Sequence, residues 1–250
     1  MSSDYPFTFD GYRNLIEKLL AKGYAFSAFP DAIELDLAKS QRPLCLMRHD
    51  IDFDLGMARD MALVEAEFQI QSTYFFMVRT EHYNLFSEQG TKLVREILDL
   101  GHHLGLHFDC ASYEAETTVA GFAKYATAEA QMLETWFDRP VEIVSYHRPA
   151  PLVLEGSRDL SFPRPHTYMG AFTDSIHYVS DSRGEWKHGH PLESHAYQNG
   201  DSIHILIHPV WWGNTAVRPN TKLHALLDKK MELLRYSVAE NCTIFKPNER

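Results

Sequence analysis

Leu44-Cys45-Leu46-Met47-Arg48-His49-Asp50-Ile51-Asp52-Phe53-Asp54-Leu55 decides how this chain is read. Leu44 to Met47 is a short, unbroken apolar run, the pattern of a strand buried on both faces. Two carboxylates one residue apart follow it, and helical periodicity then runs from Leu55 to Phe68. Asp54, just before that helix, suits an N-cap. A buried strand, a polar end and a helix make one βα unit.

The unit recurs on both sides. Ser72 to Val78 reads as a second strand and Ser87 to Leu100 as its helix. His103 to His107 is a third, shorter strand, Gly121 to Phe137 a helix, and Val141 to Tyr146 a fourth strand. Ser202 to Ile207 is a late strand, Thr221 to Glu240 a long helix, and Cys242 to Phe245 a last strand. Before them all, Tyr12, Leu15, Ile16, Leu19 and Leu20 mark a helix from near Phe9 to Ala21, stopped by Gly23. Between about 150 and 200 the pattern gives way to Pro, Gly, His and Ser, read as irregular loops with one or two short strands. Alternating strands and helices imply a parallel sheet. The expected architecture is a single-domain, imperfect α/β barrel over 1–250, with a helical extension over about 1–42. An open doubly wound sheet is the alternative.

Polar residues gather where these strands end: Asp50 and Asp52, Asp109, His147 and Arg148, and His208. The C-terminal ends of barrel strands are where active sites of this architecture sit. Asp50 and Asp52 point the same way in extended chain, roughly 6.6 Å apart along it. One can bind a metal while the other reaches a water beside it. Such close carboxylates need a cation or an Arg nearby. His103 and His107 would lie about 13 Å apart on a strand and not share an ion; His107, at the strand end, is the better ligand. Arg148 could pair with a site carboxylate, and His147 could donate to a metal. His208, at the end of a buried strand, suits a general acid. Trp211 and Trp212 could wall a sugar ring.

A net charge of −10 argues against a nucleic-acid face and against docking on an anionic surface. Three scattered cysteines, Cys45, Cys110 and Cys242, indicate neither a disulfide framework nor a Cys-based zinc site. The first residues, Met1 to Pro6, lack signal-peptide features, and no apolar run nears the roughly 18 residues of a bilayer span. The expected setting is a reducing cytoplasm.

These segments, in this order over roughly Pro43 to Pro209, resemble the NodB-homology polysaccharide deacetylases, carbohydrate esterase family 4. The resemblance implies a distorted (β/α)7 barrel. It makes Asp50 the catalytic base and Asp52 a metal ligand, with Arg48 and His49 in support. It makes His107 a second ligand, Arg148 the residue that steadies the base, and His208 the acid. The family's second metal His falls at Ala111. His147 is the favoured replacement, Asp109 a second, and loss of the metal a third. Ser180-Asp181-Ser182-Arg183 and Trp186 stand in for a loose fourth motif. The motif variants resemble a branch associated with surface-polysaccharide gene clusters, such as those of lipopolysaccharide biosynthesis.

The implied activity is metal-dependent hydrolysis of an N-acetyl group on an amino sugar. The metal is Zn²⁺ by its mixed oxygen and nitrogen ligands, with Co²⁺, Ni²⁺ or Mn²⁺ also tolerated. The partner is a carbohydrate substrate; the sequence leaves the oligomeric state open. A non-sugar amidohydrolase on the same barrel, or a catalytically dead carbohydrate-binding relic, are the alternatives.

Overall fold

The structure, a computed structural model, describes residues 5–34, 40, 42–116, 118–156, 164–174 and 176–246. Its centre is a parallel sheet of β1 (Ala25–Ser27), β2 (Leu44–Ile51), β3 (Thr73–Phe76), β4 (His103–Asp109), β5 (Val144–His147), β6 (His177–Ser180) and β7 (Ile203–Ile207). The strand order is β5-β4-β3-β2-β7-β6, with β1 paired to the first half of β2. Helices α1 (Phe9–Ala21) and α2 (Phe29–Glu34) flank β1. Crossovers run through α3 (Leu55–Glu67), α4 (Glu88–Asp99) and α5 (Val119–Phe137). Short helices α6 (Pro151–Gly156), α7 (Gly170–Thr173) and α8 (His195–Asn199) precede β7, and α9 (Pro219–Asn241) follows it.

Helix starts follow local chemistry. Thr8, Asp54, Ser87 and Thr118 each cap a helix by accepting a backbone N–H three residues on. The strands are held from both faces. On the outer face, Cys45, Met47, Ile203, Ile205 and Ile207 pack with Tyr12, Leu15 and Leu19 of α1. Tyr74, Leu104, Leu106 and Phe108 pack against α3, α4 and α5. On the inner face, Leu46 and Phe75 meet Phe29, Ile143, Phe172 and Ile176. One cluster thus joins side chains from the middle of the sheet to others flanking its two edges, so the sheet curls around an interior. The barrel is distorted because β5 and β6 do not pair with each other. The segment from Arg164 follows the edge of β5 instead: Val144 donates to the Pro165 carbonyl and Thr167 donates back to Val144.

The distorted parallel α/β barrel expected from the sequence is the fold observed. Three details differ. The stretch over 9–34 is more than a helical extension, because β1 lies in the sheet beside β2. β2 continues past Met47 to Ile51, so Arg48, His49 and Asp50 are strand residues. Cys242 to Phe245 forms a turn, not a strand, where α9 ends.

One interior contact ties sheet packing to the polar residues above it. A side chain at Gly105 would meet the Phe75 ring at 2.5 Å, so Phe75 fills the space that Gly105 leaves. The Arg48 guanidinium lies 5.6 Å over that same ring. Gly105→Ala should cost about 1–3 kcal/mol in urea unfolding by overpacking this layer. A cost within about 0.5 kcal/mol, the usual range for surface changes, would contradict it.

Candidate active site and metal centre

Alternation along β2 places Leu46, Arg48 and Asp50 on the interior face, and Asp52 follows at the rim. Arg48 Nε donates to Asp50 Oδ1 at 2.8 Å, and Arg48 Nη2 to Oδ2 at 2.7 Å. Both side chains are buried, and Arg48 is also stacked over Tyr168. Burial alone would raise the Asp50 carboxyl; the Arg48 charge and its two hydrogen bonds outweigh it and hold Asp50 well below the usual carboxylate range.

Asp52 differs in kind. Its Oδ1 is buried and accepts no hydrogen bond among the described residues. Yet His107 Nε2 lies 3.2 Å away and His147 Nδ1 3.4 Å away. Ligand atoms of Asp52, His107 and His147 all fall within 4.8 Å of one another. The pairing of β4 with β5 brings them together, setting His107 beside Ser145 and Asp109 beside His147. Ser145 Oγ lies 2.7 Å from His107 Nδ1 and donates to Asp50 Oδ1 at 3.3 Å. With its proton given to Asp50, Ser145 accepts from His107 Nδ1–H, which turns the Nε2 lone pair toward Asp52. Burial lowers His147, keeping its imidazole neutral. A buried carboxylate oxygen facing two imidazoles is a cradle for a cation. One carboxylate and two imidazoles suit Zn²⁺ with one position left open.

His208 stands after β7. Its Nδ1 lies 2.7 Å from Asp181 Oδ1, and its backbone N–H donates to the same carboxylate. Trp212 Nε1 donates to Asp181 Oδ2 at 2.8 Å. Burial would lower His208, but the hydrogen bond and charge of Asp181 raise it to about 9. His208, Arg48, Asp50, Asp52, His107 and His147 line one cleft of about 570 Å³, with Tyr146, Tyr168, Tyr178 and Trp211 around them.

Several expectations are corrected. Arg148 does not reach Asp50; it pairs with Asp109 at the rim and is 61% exposed. Arg48 holds Asp50 instead. His49 faces the other side of the sheet and contacts Glu65 on α3 at 2.7 Å. Asp109 is occupied by Arg148, the Ala111 amide and Ser112, and stands outside the three-residue group. Ala111 lies in a single 3-10 turn over Cys110–Tyr113. Trp212 is buried and tied to Asp181, so only Trp211 of the tryptophan pair lines the cleft. Two residues that hold the site's histidines have no such role in the sequence reading: Ser145, and Asp181, which enters there only within the loose fourth motif. Ser145 sits two before His147 on one strand face, and Asp181 directly follows β6; both positions carry a readable signal.

No protein-family model and no curated protein matches the chain. Solved structures do. The chain is similar to a deacetylase from Streptococcus pyogenes, PplD, solved with acetate, at 11% identity over 87% of this chain and 86% of that one, with a TM-score of 0.47. It is similar to IcaB from Ammonifex degensii at 20% identity over 62% and 73%, with a TM-score of 0.44. A carbohydrate esterase family 4 pseudoenzyme from Bacillus anthracis matches at 12% identity over 76% and 62%, with a TM-score of 0.45.

The Asp181–His208 pair has a titration signature. In the metal-free protein, NMR should give His208 a pKa of about 9. Asp181→Asn should bring it down toward the ordinary value of about 6.5. Since the folded value is raised, the pair stabilises fully below pH about 6.5. That stability is lost as pH rises through about 9. Equal His208 titration in wild type and Asp181→Asn would refute the assignment.

Proposed function

We propose that this chain is a metal-dependent amide hydrolase of the NodB-homology type, removing an N-acetyl group from an amino sugar of a surface polysaccharide or its precursor. One observation carries the reading: the unpaired Asp52 oxygen, His107 and His147 converge beside an Asp50 that Arg48 keeps ionised. His147 stands in for the ligand that Ala111 lacks, which supports an enzyme over a binding relic.

Asp52, His107 and His147 would hold the cation, with Zn²⁺ favoured by the donor set. A bound cation of this type polarises an acyl carbonyl and acidifies water. The chain's own groups do the rest. Asp50 is ionised and within the cleft, so it accepts the proton of an attacking water. Ser145 links Asp50 to His107 and fixes the orientation of both. His208, protonated at neutral pH through Asp181, gives its proton to the departing amine. The tyrosines and Trp211 offer rings and hydroxyls to a pyranose, and the acetyl group points inward to the metal centre. Arg148, facing Asp109, belongs to the rim and to substrate access rather than to the base.

Asp50→Asn separates base from ligand. The variant should bind metal to the wild-type stoichiometry while acetate release from N-acetylated chito-oligosaccharides falls about 10²–10⁴-fold. Retained activity would remove Asp50 from the mechanism. A panel including cyclic amides separates the sugar deacetylase from a non-sugar amidohydrolase: turnover of cyclic amides alone would overturn the sugar reading.

A further inference from the structure

Helix α9 is 23 residues long, yet among its residues only Lys222 and Leu226 are buried. Lys222 Nζ is tied to the carbonyls of Phe7 and Trp211, and Lys230 Nζ to the carbonyl of His82. These contacts anchor the first half of the helix across the rim of the barrel, and Lys230 carries the last of them. Beyond Lys230 every residue of the helix but Ala239 is exposed.

The projecting half carries a heptad seam. Leu227, Met231, Leu234 and Val238 follow one another at spacings of four, three and four, the alternation with which one helix packs along another. They are 62%, 54%, 59% and 40% exposed, respectively. An open apolar row with this spacing fits a second helix.

The charges beside the seam select which helix. Helical geometry puts Asp228 and Arg235 on one border of the row, and Lys230 and Ser237 on the other. In an antiparallel pair of identical helices, each border faces its own equivalent across the seam. A second copy of α9, laid antiparallel, sets Leu227 against Val238 of that copy and Met231 against its Leu234. Two-fold symmetry makes each of these contacts twice. The same register brings Asp228 beside Arg235 of the second copy, again twice, and Lys230 beside the neutral Ser237. A parallel pair instead sets Lys230 beside Arg235 of the second copy, cation against cation, on both borders. The helix is thus complementary to itself in one direction only. Space agrees with this. The two-fold axis falls between Met231 and Leu234, past the last tie at Lys230. Each barrel therefore lies along the anchored half of its own helix and beside the projecting half of the other.

The register also reaches the cleft. Asn220 and Leu223, near the start of α9, line it. The antiparallel pairing sets residues 242–245 of the second copy, the turn after its α9, alongside these two. Ile244 in that turn is 88% exposed.

We propose that this protein is a homodimer paired through antiparallel α9 helices, in which the turn after each α9 borders the cleft of the other copy. The pairing rests on no assignment of the reaction.

Sedimentation equilibrium of the full chain reads the pairing. The wild type should be a dimer at micromolar concentration. Leu227→Glu/Leu234→Glu should weaken the dimer about tenfold or more, since large apolar groups leave the seam on both helices. Tyr236→Glu, on the opposite side of the helix, should leave it intact. Arg235→Asp should weaken the dimer by setting like charges together, and Asp228→Arg/Arg235→Asp should restore it by exchanging them. Unchanged circular dichroism separates loss of pairing from unfolding. Ile244→benzoylphenylalanine, irradiated in a mixture of isotope-labelled and unlabelled chains, should cross-link to the 219–223 stretch of the other copy. A monomeric wild type overturns the proposal, as does a double glutamate variant that dimerises like the wild type. Tighter pairing of Arg235→Asp, which a parallel pair would give through Lys230, overturns the antiparallel register. So do cross-links that join position 244 of one copy to position 244 of the other.

Discussion

The buried ion pair between Arg48 and Asp50 is the constraint around which the rest of this site is arranged. Both groups lie inside the barrel, two residues apart on one strand face, in fork-to-carboxylate geometry. Taking either charge out of water alone is costly, and removing one partner of such a pair typically costs about 3–5 kcal/mol. The pair therefore fixes the conformation of β2 where it enters the cleft. It also separates two carboxylates that would otherwise compete for one cation. Asp50 is satisfied by an internal guanidinium; Asp52, two residues on, is left with an oxygen to offer. One short segment thus carries one carboxylate committed to an internal guanidinium and one free to face His107 and His147.

The other face of β2 carries a second polar arrangement. His49 turns outward to Glu65, which also accepts from Tyr12 at 2.5 Å, Ser72 at 2.9 Å and Tyr74 at 2.8 Å. Burial would raise Glu65, but His49 and the hydroxyl donors hold it down at about 2. Its stabilising contribution is present above the ordinary carboxylate range and is lost only as pH falls through about 2. With four donors around one carboxylate, α1, α3, β2 and β3 are pinned together. This segment of β2 is consequently clamped from inside by Arg48–Asp50 and from outside by His49–Glu65, so its side chains are placed by a rigid strand rather than a loop.

Much of this was readable from the sequence, and what was not has physical reasons. Helix periodicity and the cap at Asp54 placed α1, α3, α4 and α9 within two residues. The length of β2 was not readable: Arg48, His49 and Asp50 interrupt an apolar run, and only partners on both faces make a strand tolerate them. β1 and β6 are only three and four residues long, so they carry little periodicity. Cys242 to Phe245 has strand propensity but pairs with no strand among the described residues. Asp50, Asp52, His107, His147 and His208, which line one cleft, were legible because each lies in the last residues of a strand or just after it. The partners were harder. Arg148 adopts a left-handed backbone, φ 44°, which sends its side chain to Asp109 rather than inward. Nothing local distinguishes that turn from an inward one.

Whether Asp52, His107 and His147 share one ion is decided by a crystal structure of the zinc-loaded protein with anomalous data at the zinc edge. The expected result is a single strong peak within about 2.0–2.2 Å of a carboxylate oxygen of Asp52, His107 Nε2 and His147 Nδ1, with Asp50 still paired to Arg48. A peak bound by Asp50 or Asp109 in place of His147, or no peak in the cleft at saturating zinc, would contradict it.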